Sequence, residues 1–344
     1  MKTTTRGWMS GIKQFTITTA ALTILAGFGF AAGTTTADFL KVSPDSRSAA
    51  LGQTGAADPD NGFAAFHNPA LPAAAKAKVS VSAGQTQWIL GTQVSHYEGN
   101  FRKEDRDGAW GMAVSVSQWN TPSFDTTDNL GNVTGRSAYK AQTAGVSLSR
   151  AWGENFSVGG GVKQISQGFV GQASASGQAL AWDAGVFTRG GEGRWNVGLV
   201  LQNAGAAAGL DNAKDPLPTT VRAGVELRPG EKQFSWNFET AQARGSKMAF
   251  GGGLGFSALS CLTIRAGYDG MAAGPNFAGI TSGLGIVIRN FSLDYSFAPF
   301  GELGNVQRIS VTWAYGGTPR TEAKRVRGAA RAGEINFSNR RFQR

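Results

Sequence analysis

From Lys78 to Tyr315 the chain repeats one pattern: apolar and polar side chains alternate, in run after run of about ten residues. Alternation with period two puts one set of side chains on each face of a strand. Trp110, Met112, Val114 and Val116 share a face opposite Gly111, Ala113, Ser115 and Ser117. Trp195, Val197, Leu199 and Leu201 oppose Asn196, Gly198 and Gln202, and Phe234, Trp236 and Phe238 oppose Ser235, Asn237 and Glu239. Phe291, Leu293, Tyr295 and Phe297 oppose Ser292, Asp294 and Ser296, while Ile309, Val311, Trp313 and Tyr315 oppose Arg308, Ser310 and Thr312. Fourteen such runs are expected, near 78–84, 87–98, 108–119, 138–151, 155–167, 178–188, 194–203, 218–228, 232–242, 246–257, 261–270, 277–288, 290–299 and 305–315. About ten residues is what a tilted strand needs to cross a bilayer.

The pattern therefore predicts an all-β fold: a transmembrane antiparallel β-barrel of about 14 strands over 78–315, with an N-terminal plug-like segment. The alternative is a large soluble β-sandwich, which also alternates. The polar face argues for the barrel. It is mostly Gly, Ala, Ser and Thr with scattered charges, whereas a water-facing sheet carries more Lys and Glu. Closure also removes the unpaired edges that lipid does not tolerate. The chain has 49 glycines among 344 residues, about twice the ordinary share. Charged residues reach only 16%. With the first strand running outward, inner turns are short from the fourth strand on: Gly153-Glu154, Gly190–Gly193, Pro229–Glu231, Ala258–Ser260 and Arg289-Asn290. Outer links are longer: Asn120–Ser137, Gly168–Gly177, Ala204–Pro216 and Gly270–Asn276. Two links depart from this rule, a long charged inner one at Gly99–Asp107 and a very short outer one at Gln85-Thr86.

Residues 1–33 read as an export signal. Lys2, Arg6 and Lys13 precede the apolar stretch Phe15–Phe30, and Ala31-Ala32-Gly33 supplies small residues for cleavage. The apolar stretch is slightly short for a helical span, which would make a membrane anchor. No later segment is apolar for the roughly 18 residues a helical span requires. Cys261 is the only cysteine, so no intrachain disulfide forms. Most of the formal charge of +10 comes from the signal and from 316–344, whose eight Arg/Lys face two Glu. The near-neutral body argues against nucleic acid as a partner.

Two segments carry a family likeness. The first is Phe39-Leu40-Lys41-Val42 through Arg47, Ala50-Leu51-Gly52, Asp58–Asn61, Phe66 and Asn68-Pro69-Ala70. The second is Leu293-Asp294-Tyr295, Pro299–Asn305 and Arg308-Ile309-Ser310. Together they resemble the PorV/PorQ family of outer-membrane proteins, grouped with the FadL-like fourteen-strand barrels. The family usually has a glycine-richer run where Ser43–Arg47 stands here, and Met-Gly where Leu51-Gly52 stands. The basic tail after Tyr315 also departs from it. The resemblance implies a non-catalytic protein of the bacterial outer membrane, an accessory or assembly component of type IX-like protein secretion. Its partners would be secreted cargo proteins or secretion-system subunits besides outer-membrane lipid. The alternative it implies is a FadL-like transporter of hydrophobic small molecules, moving them past an N-terminal plug.

Residues 34–77 are expected to form that plug, or else a periplasmic leader, with a short helix over Ser46–Thr54. Arg47, Asn68 and Pro69 are the candidate plug-to-wall motif. The inward face carries Lys163, Asp183, Arg222, Glu226, Glu239, Arg265, Asp269, Asp294 and Arg308. Both signs occur, which suits pairing across strands better than a selectivity filter. Gly159–Gly161 and Gly251–Gly253 sit inside strands, where glycine lets another backbone approach closely. Asp58, Asp60 and Asn61 lack the spacing of a calcium loop, and His67 and His96 are too few for a zinc site. No metal or cofactor is expected, and no hydrolase pattern stands in its required context. The basic tail, 316–344, would emerge in the periplasm as a solvated end, or would dock to an acidic periplasmic partner.

Overall fold

The computed structural model describes residues 35–171, 175–207, 209, 215–229, 233–270 and 279–316. The export signal and almost all of the basic tail lie outside the described residues. Fifteen strands make one antiparallel sheet: β1 (Val79–Gln87), β2 (Gln93–Glu104), β3 (Gly108–Asn120), β4 (Phe124–Thr127), β5 (Val133–Trp152), β6 (Phe156–Gly171), β7 (Ala175–Gly190), β8 (Trp195–Gly205), β9 (Thr220–Leu227), β10 (Phe234–Ala243), β11 (Ala249–Ser257), β12 (Leu262–Asp269), β13 (Ile280–Ile288), β14 (Phe291–Pro299) and β15 (Asn305–Tyr315). β1 pairs with β15 and β3 with β5, so fourteen strands close into a barrel. β4 is an extra short strand, paired with the outer end of β5 inside the expected Asn120–Ser137 link. No helix among the described residues is long and apolar enough to cross a membrane.

The two links that broke the expected rule come from misplaced strand ends. β1 runs on to Gln87, because Thr86 continues the inward alternation and is fully buried. The outer link lies at 88–92 instead, where Leu90 takes a left-handed φ of 54°. β2 then starts at Gln93 and reaches Glu104, leaving only 105–107 as the inner turn. With that correction every described link at the inner end is short, the arrangement of outer-membrane barrels with the short turns facing the periplasm.

The faces sort as a bilayer requires. Val81, Tyr97, Trp110, Leu148, Trp182, Phe238, Leu254, Leu284 and Ile309 all point outward and are exposed. Their inward neighbours, such as Ser82, Glu98, Ser149, Asn237, Asp294 and Ser310, are buried. Aromatic pairs mark the inner rim: Trp152 stacks on Phe156, Phe234 on Phe256 and Trp313 on Tyr315. Amphipathic rings favour that depth.

The interior is filled by the chain's own start. Residues 38–77 form a single 3-10 turn, Asp38–Lys41, and three short helices: α1 (Ser46–Ala50), α2 (Ala64–His67) and α3 (Leu71–Ala74). α1 begins at Asp45, whose carboxylate accepts from the Ser48 N–H at 2.9 Å. Between Ala50 and Ala73 the segment meets Gly283 of β13, Gly251 and Gly253 of β11, Gly198 of β8, Ser82 of β1, Gly185 of β7, Gly159 of β6 and Gly111 of β3. So short a stretch reaches strands all round the ring only from inside it. Thr36 donates to the Pro216 carbonyl at 3.1 Å in the long β8–β9 link, so the segment starts at the outer end. It leaves at the inner end, where Ala73 packs on Ala109 and Ala151.

Candidate functional site

The lumen is the site, and the backbone of the inner segment explains much of its chemistry. Three helices of four or five residues satisfy few of their own peptide groups, so the wall must supply partners. Glu239 on β10 accepts from the Gly55 and Ala56 N–H groups at 2.8 and 2.9 Å. Glu98 on β2 does the same for Ala65 and Phe66 at 2.9 and 3.0 Å. Carbonyls are met from the wall too. Gln202 donates to Phe66 and His67, Arg222 to Gln53, Arg102 to Ala73, Arg189 to Ala74, Ser157 to Ala70 and Thr281 to Asp45's helix at Ala50. The glycine runs act as expected for close approach: a Cβ on Gly253 would sit 2.6 Å from Leu51 Cα, and Gly159 faces the Pro69 carbonyl.

Within the segment, Asp45 is a buried hub. It is met by Ser48, by His67 Nε2 at 2.8 Å and by Asn61 Nδ2 at 2.9 Å. Burial alone would raise its pKa; the hydrogen bonds from His67 and Ser48 outweigh that and hold it below the usual carboxylate range. Ser48 Oγ and Asp45 Oδ1 both meet the same imidazole nitrogen, while His67 Nδ1 has no partner. A nucleophile–base–acid relay needs the hydroxyl and the acid on opposite ring nitrogens. This cluster, closed to solvent, is a fold-locking knot. Among the described residues no group of three His, Cys, Asp or Glu is placed to hold a metal.

The structure distributes the candidate residues as follows. Arg47 bridges to Asp58 at 2.6 Å within the segment; burial opposes its charge, and the Asp58 carboxylate overrides this and raises its pKa. Asn68 ties segment to wall, donating to Ala56 O and to Val186 O of β7 at 3.0 and 3.1 Å. Pro69 lies against Gly159 of β6 and Gly185 of β7. Lys163 pairs with Asp183 at 2.8 Å, Arg222 with Glu239 at 2.5 Å and Arg265 with Asp294 at 2.6 Å. Glu226 pairs with Arg228, which the sequence reading had not singled out. Asp183 also accepts from the Asn203 N–H at 2.7 Å, where β8 carries one extra residue and φ is 57°. Asp269 is buried, and Arg308 is buried without an ion pair among the described residues. Glu98, Arg102, Arg189 and Gln202 were missed. Glu98 and Arg102 fell at or beyond the misplaced end of β2, and a lone inward polar residue gives no sign that its partner is a backbone.

The free space is small. A cavity of about 100 Å³ lies at the inner end and is lined by Arg47, Asp60, Arg265, Asp294 and hydroxyls including Ser235 and Thr263. An apolar cluster stands toward the outer end. Ala37 and Leu40 pack on Ile165, Ala181 and Leu217. Phe39, Phe66, Val94 and Trp119 surround about 10 Å³ together with His96, Ser117 and Thr143, and a space of about 30 Å³ lies between Leu40, Ala65 and Phe66 on one side and Lys163 and Asp183 on the other.

No family model matches the chain, and no curated protein matches it by sequence. Solved structures do. The toluene transporter TbuX of Ralstonia pickettii superposes with a TM-score of 0.58 at 12% identity, over 79% of this chain and 98% of that one. The monoaromatic hydrocarbon channel CymD gives 0.57 at 13%, over 80% and 98%. A FadL homologue of Pseudomonas aeruginosa gives 0.51 at 14%, over 84% and 100%. At such identities the likeness speaks for the fold: the chain is a closed fourteen-strand β-barrel of the FadL-like kind found in bacterial outer membranes.

Proposed function

We propose that the barrel passes small hydrophobic molecules across the outer membrane, with residues 38–77 as a plug that denies water a continuous path. The observation that carries this reading is an apolar cluster toward the outer end of the lumen. Leu40, Phe39, Phe66, Val94, Ile165, Leu217 and Trp119 gather there, beside polar neighbours such as His96, Ser117 and Thr143. An apolar surface above a firmly bound segment suits an oily solute better than a hydrated one. The named neighbours, a toluene transporter and a hydrocarbon channel, support the same reading. The test is uptake of labelled toluene and of a sugar of similar size by cells lacking their own hydrocarbon channels, with and without this protein. Faster entry of toluene alone is expected; no acceleration of either, with protein present in the outer membrane, refutes it.

A second reading is a non-catalytic secretion accessory of the PorV/PorQ kind. The observation that favours it is how completely the segment fills the barrel, leaving spaces of only about 10 and 30 Å³ around Leu40 and Phe66. Recovery of secreted cargo in a crosslinked pull-down from native membranes would support it, and recovery of lipid-embedded barrel alone would count against it.

A further inference from the structure

Arg308 differs from most of the lumen arginines. Arg47, Arg222, Arg228 and Arg265 each face a carboxylate within 3 Å. Arg308 on β15 is 2% exposed, and its Nε and Nη2 have no hydrogen-bond partner. Asp269 and Asp45 act on it electrostatically, yet neither forms an ion pair with it. A buried cation without a carboxylate partner is a costly arrangement that a fold keeps for a reason. Its neighbours are unsatisfied as well. Thr86 and Ser296, the residues directly opposite Arg308 on β1 and β14, have buried hydroxyls without partners. His96 Nε2, on β2, is in the same condition. Unmet polar atoms of Thr86, Arg308 and Ser296 thus share one rung of three adjacent strands near the outer end, with His96 on the next strand level with Gly84.

Aromatic rings cover this cluster. The Trp88 ring lies over the Arg308 guanidinium at 5.3 Å and contacts Phe300 and Trp119 at 5.2 and 5.9 Å between centroids. Phe39 continues the stack from Trp119 at 6.1 Å. Trp88 belongs to the short link 88–92, whose Leu90 is 77% exposed, so its ring can swing away without breaking a strand.

We propose that Arg308, with Thr86 and Ser296, binds the carboxylate of a single-ring aromatic acid whose ring takes the place of Trp88 among Trp119, Phe300 and Phe39. This deepens the proposed passage of hydrophobic molecules and rests on it. The planar guanidinium fork matches a carboxylate. The aromatic walls and the small free space beside Phe39 and Trp119 favour one flat ring over a long flexible chain. A neutral hydrocarbon would leave the cation as unmet as before.

The test is calorimetric titration of the purified full-length barrel in detergent with benzoate, toluene and dodecanoate. Benzoate is expected to bind at least tenfold tighter than toluene, its near-isostere, and tighter than dodecanoate. Arg308→Met should weaken benzoate at least tenfold and leave toluene unchanged, while Thr86→Val and Ser296→Ala should each weaken it several-fold. The last two serve if Arg308→Met loses the heat-modifiable gel mobility of a folded barrel. Benzoate binding no tighter than toluene, or indifferent to these substitutions, overturns the proposal, and tighter dodecanoate overturns the single-ring assignment. Toluene uptake by cells separates the two readings: if it persists while benzoate fails to bind, only the Arg308 site is lost, and if it is absent the passage itself is refuted.

Discussion

Glu239 offers the most direct test of how the wall holds the inner segment. Its Oε2 accepts two backbone N–H groups and its Oε1 faces Arg222 Nε at 2.5 Å, with the residue only 6% exposed. Glu239→Ala removes all three contacts at once. Each orphaned N–H costs roughly 1–3 kcal/mol, and breaking a buried ion pair costs roughly 3–5 kcal/mol. These overlap because one carboxylate serves all, and Arg222 keeps the Gln53 carbonyl at 2.7 Å, so about 4 kcal/mol is expected. That sum falls on local docking of residues 53–56, since the strand ladder of β10 with β9 and β11 involves no side chain. At about 1.4 kcal/mol per factor of ten, the Gly55 and Ala56 amides should exchange with solvent deuterium about a thousandfold faster. Glu239→Gln keeps a carbonyl acceptor and loses the charge, so about 2 kcal/mol and a thirtyfold gain are expected. Mass spectrometry of the peptide spanning these residues, from protein in detergent, reads the effect, with β13 and β14 as internal standards. Wild-type exchange at Gly55 and Ala56 in a correctly folded Glu239→Ala barrel would refute the claim that the carboxylate holds the segment.

Two further outcomes follow from the same geometry. Gly253→Ala should displace the segment near Leu51 at a cost of about 1–3 kcal/mol, read as faster proteolysis there, while Gly99→Ala, with open space around it, should change nothing. Asp45 is ionised more readily in the fold than in the unfolded chain, so its contribution is present above about pH 4 and is lost as the pH falls further. Protease protection of residues 43–70 should therefore weaken below that pH, and Asp45→Asn should flatten the dependence by being weak throughout; equal acid sensitivity in both proteins would remove Asp45 from the explanation.

The barrel was legible because a bilayer enforces alternation on every strand, and no packing detail can override it. Fourteen runs were therefore countable. Their ends were harder to place, because Gln85, Thr86 and Gln87 look like a turn while continuing the inward alternation through Thr86. The glycine runs announced a close backbone approach without naming the partner. Glu98 and Gln202 were opaque for a different reason: what they bind is the main chain of residues 65–67, which has no signature in side-chain identity. Arg308 was visible as an inward charge, but that it meets no carboxylate depends on where the other charges fall.

The inner segment also fixes the order in which such a molecule can be made. Residues 38–77 precede every strand, yet they lie within a ring whose seam joins Val79 of the first strand to Tyr315 of the last. Threading a cork that touches wall glycines all round the ring into a finished tube would require every one of those contacts to form at once. Winding the strands about a segment already in place requires them one hairpin at a time. The leading stretch is then a mandrel: it sets the bore while the sheet is still open, and a chain without it would close upon water.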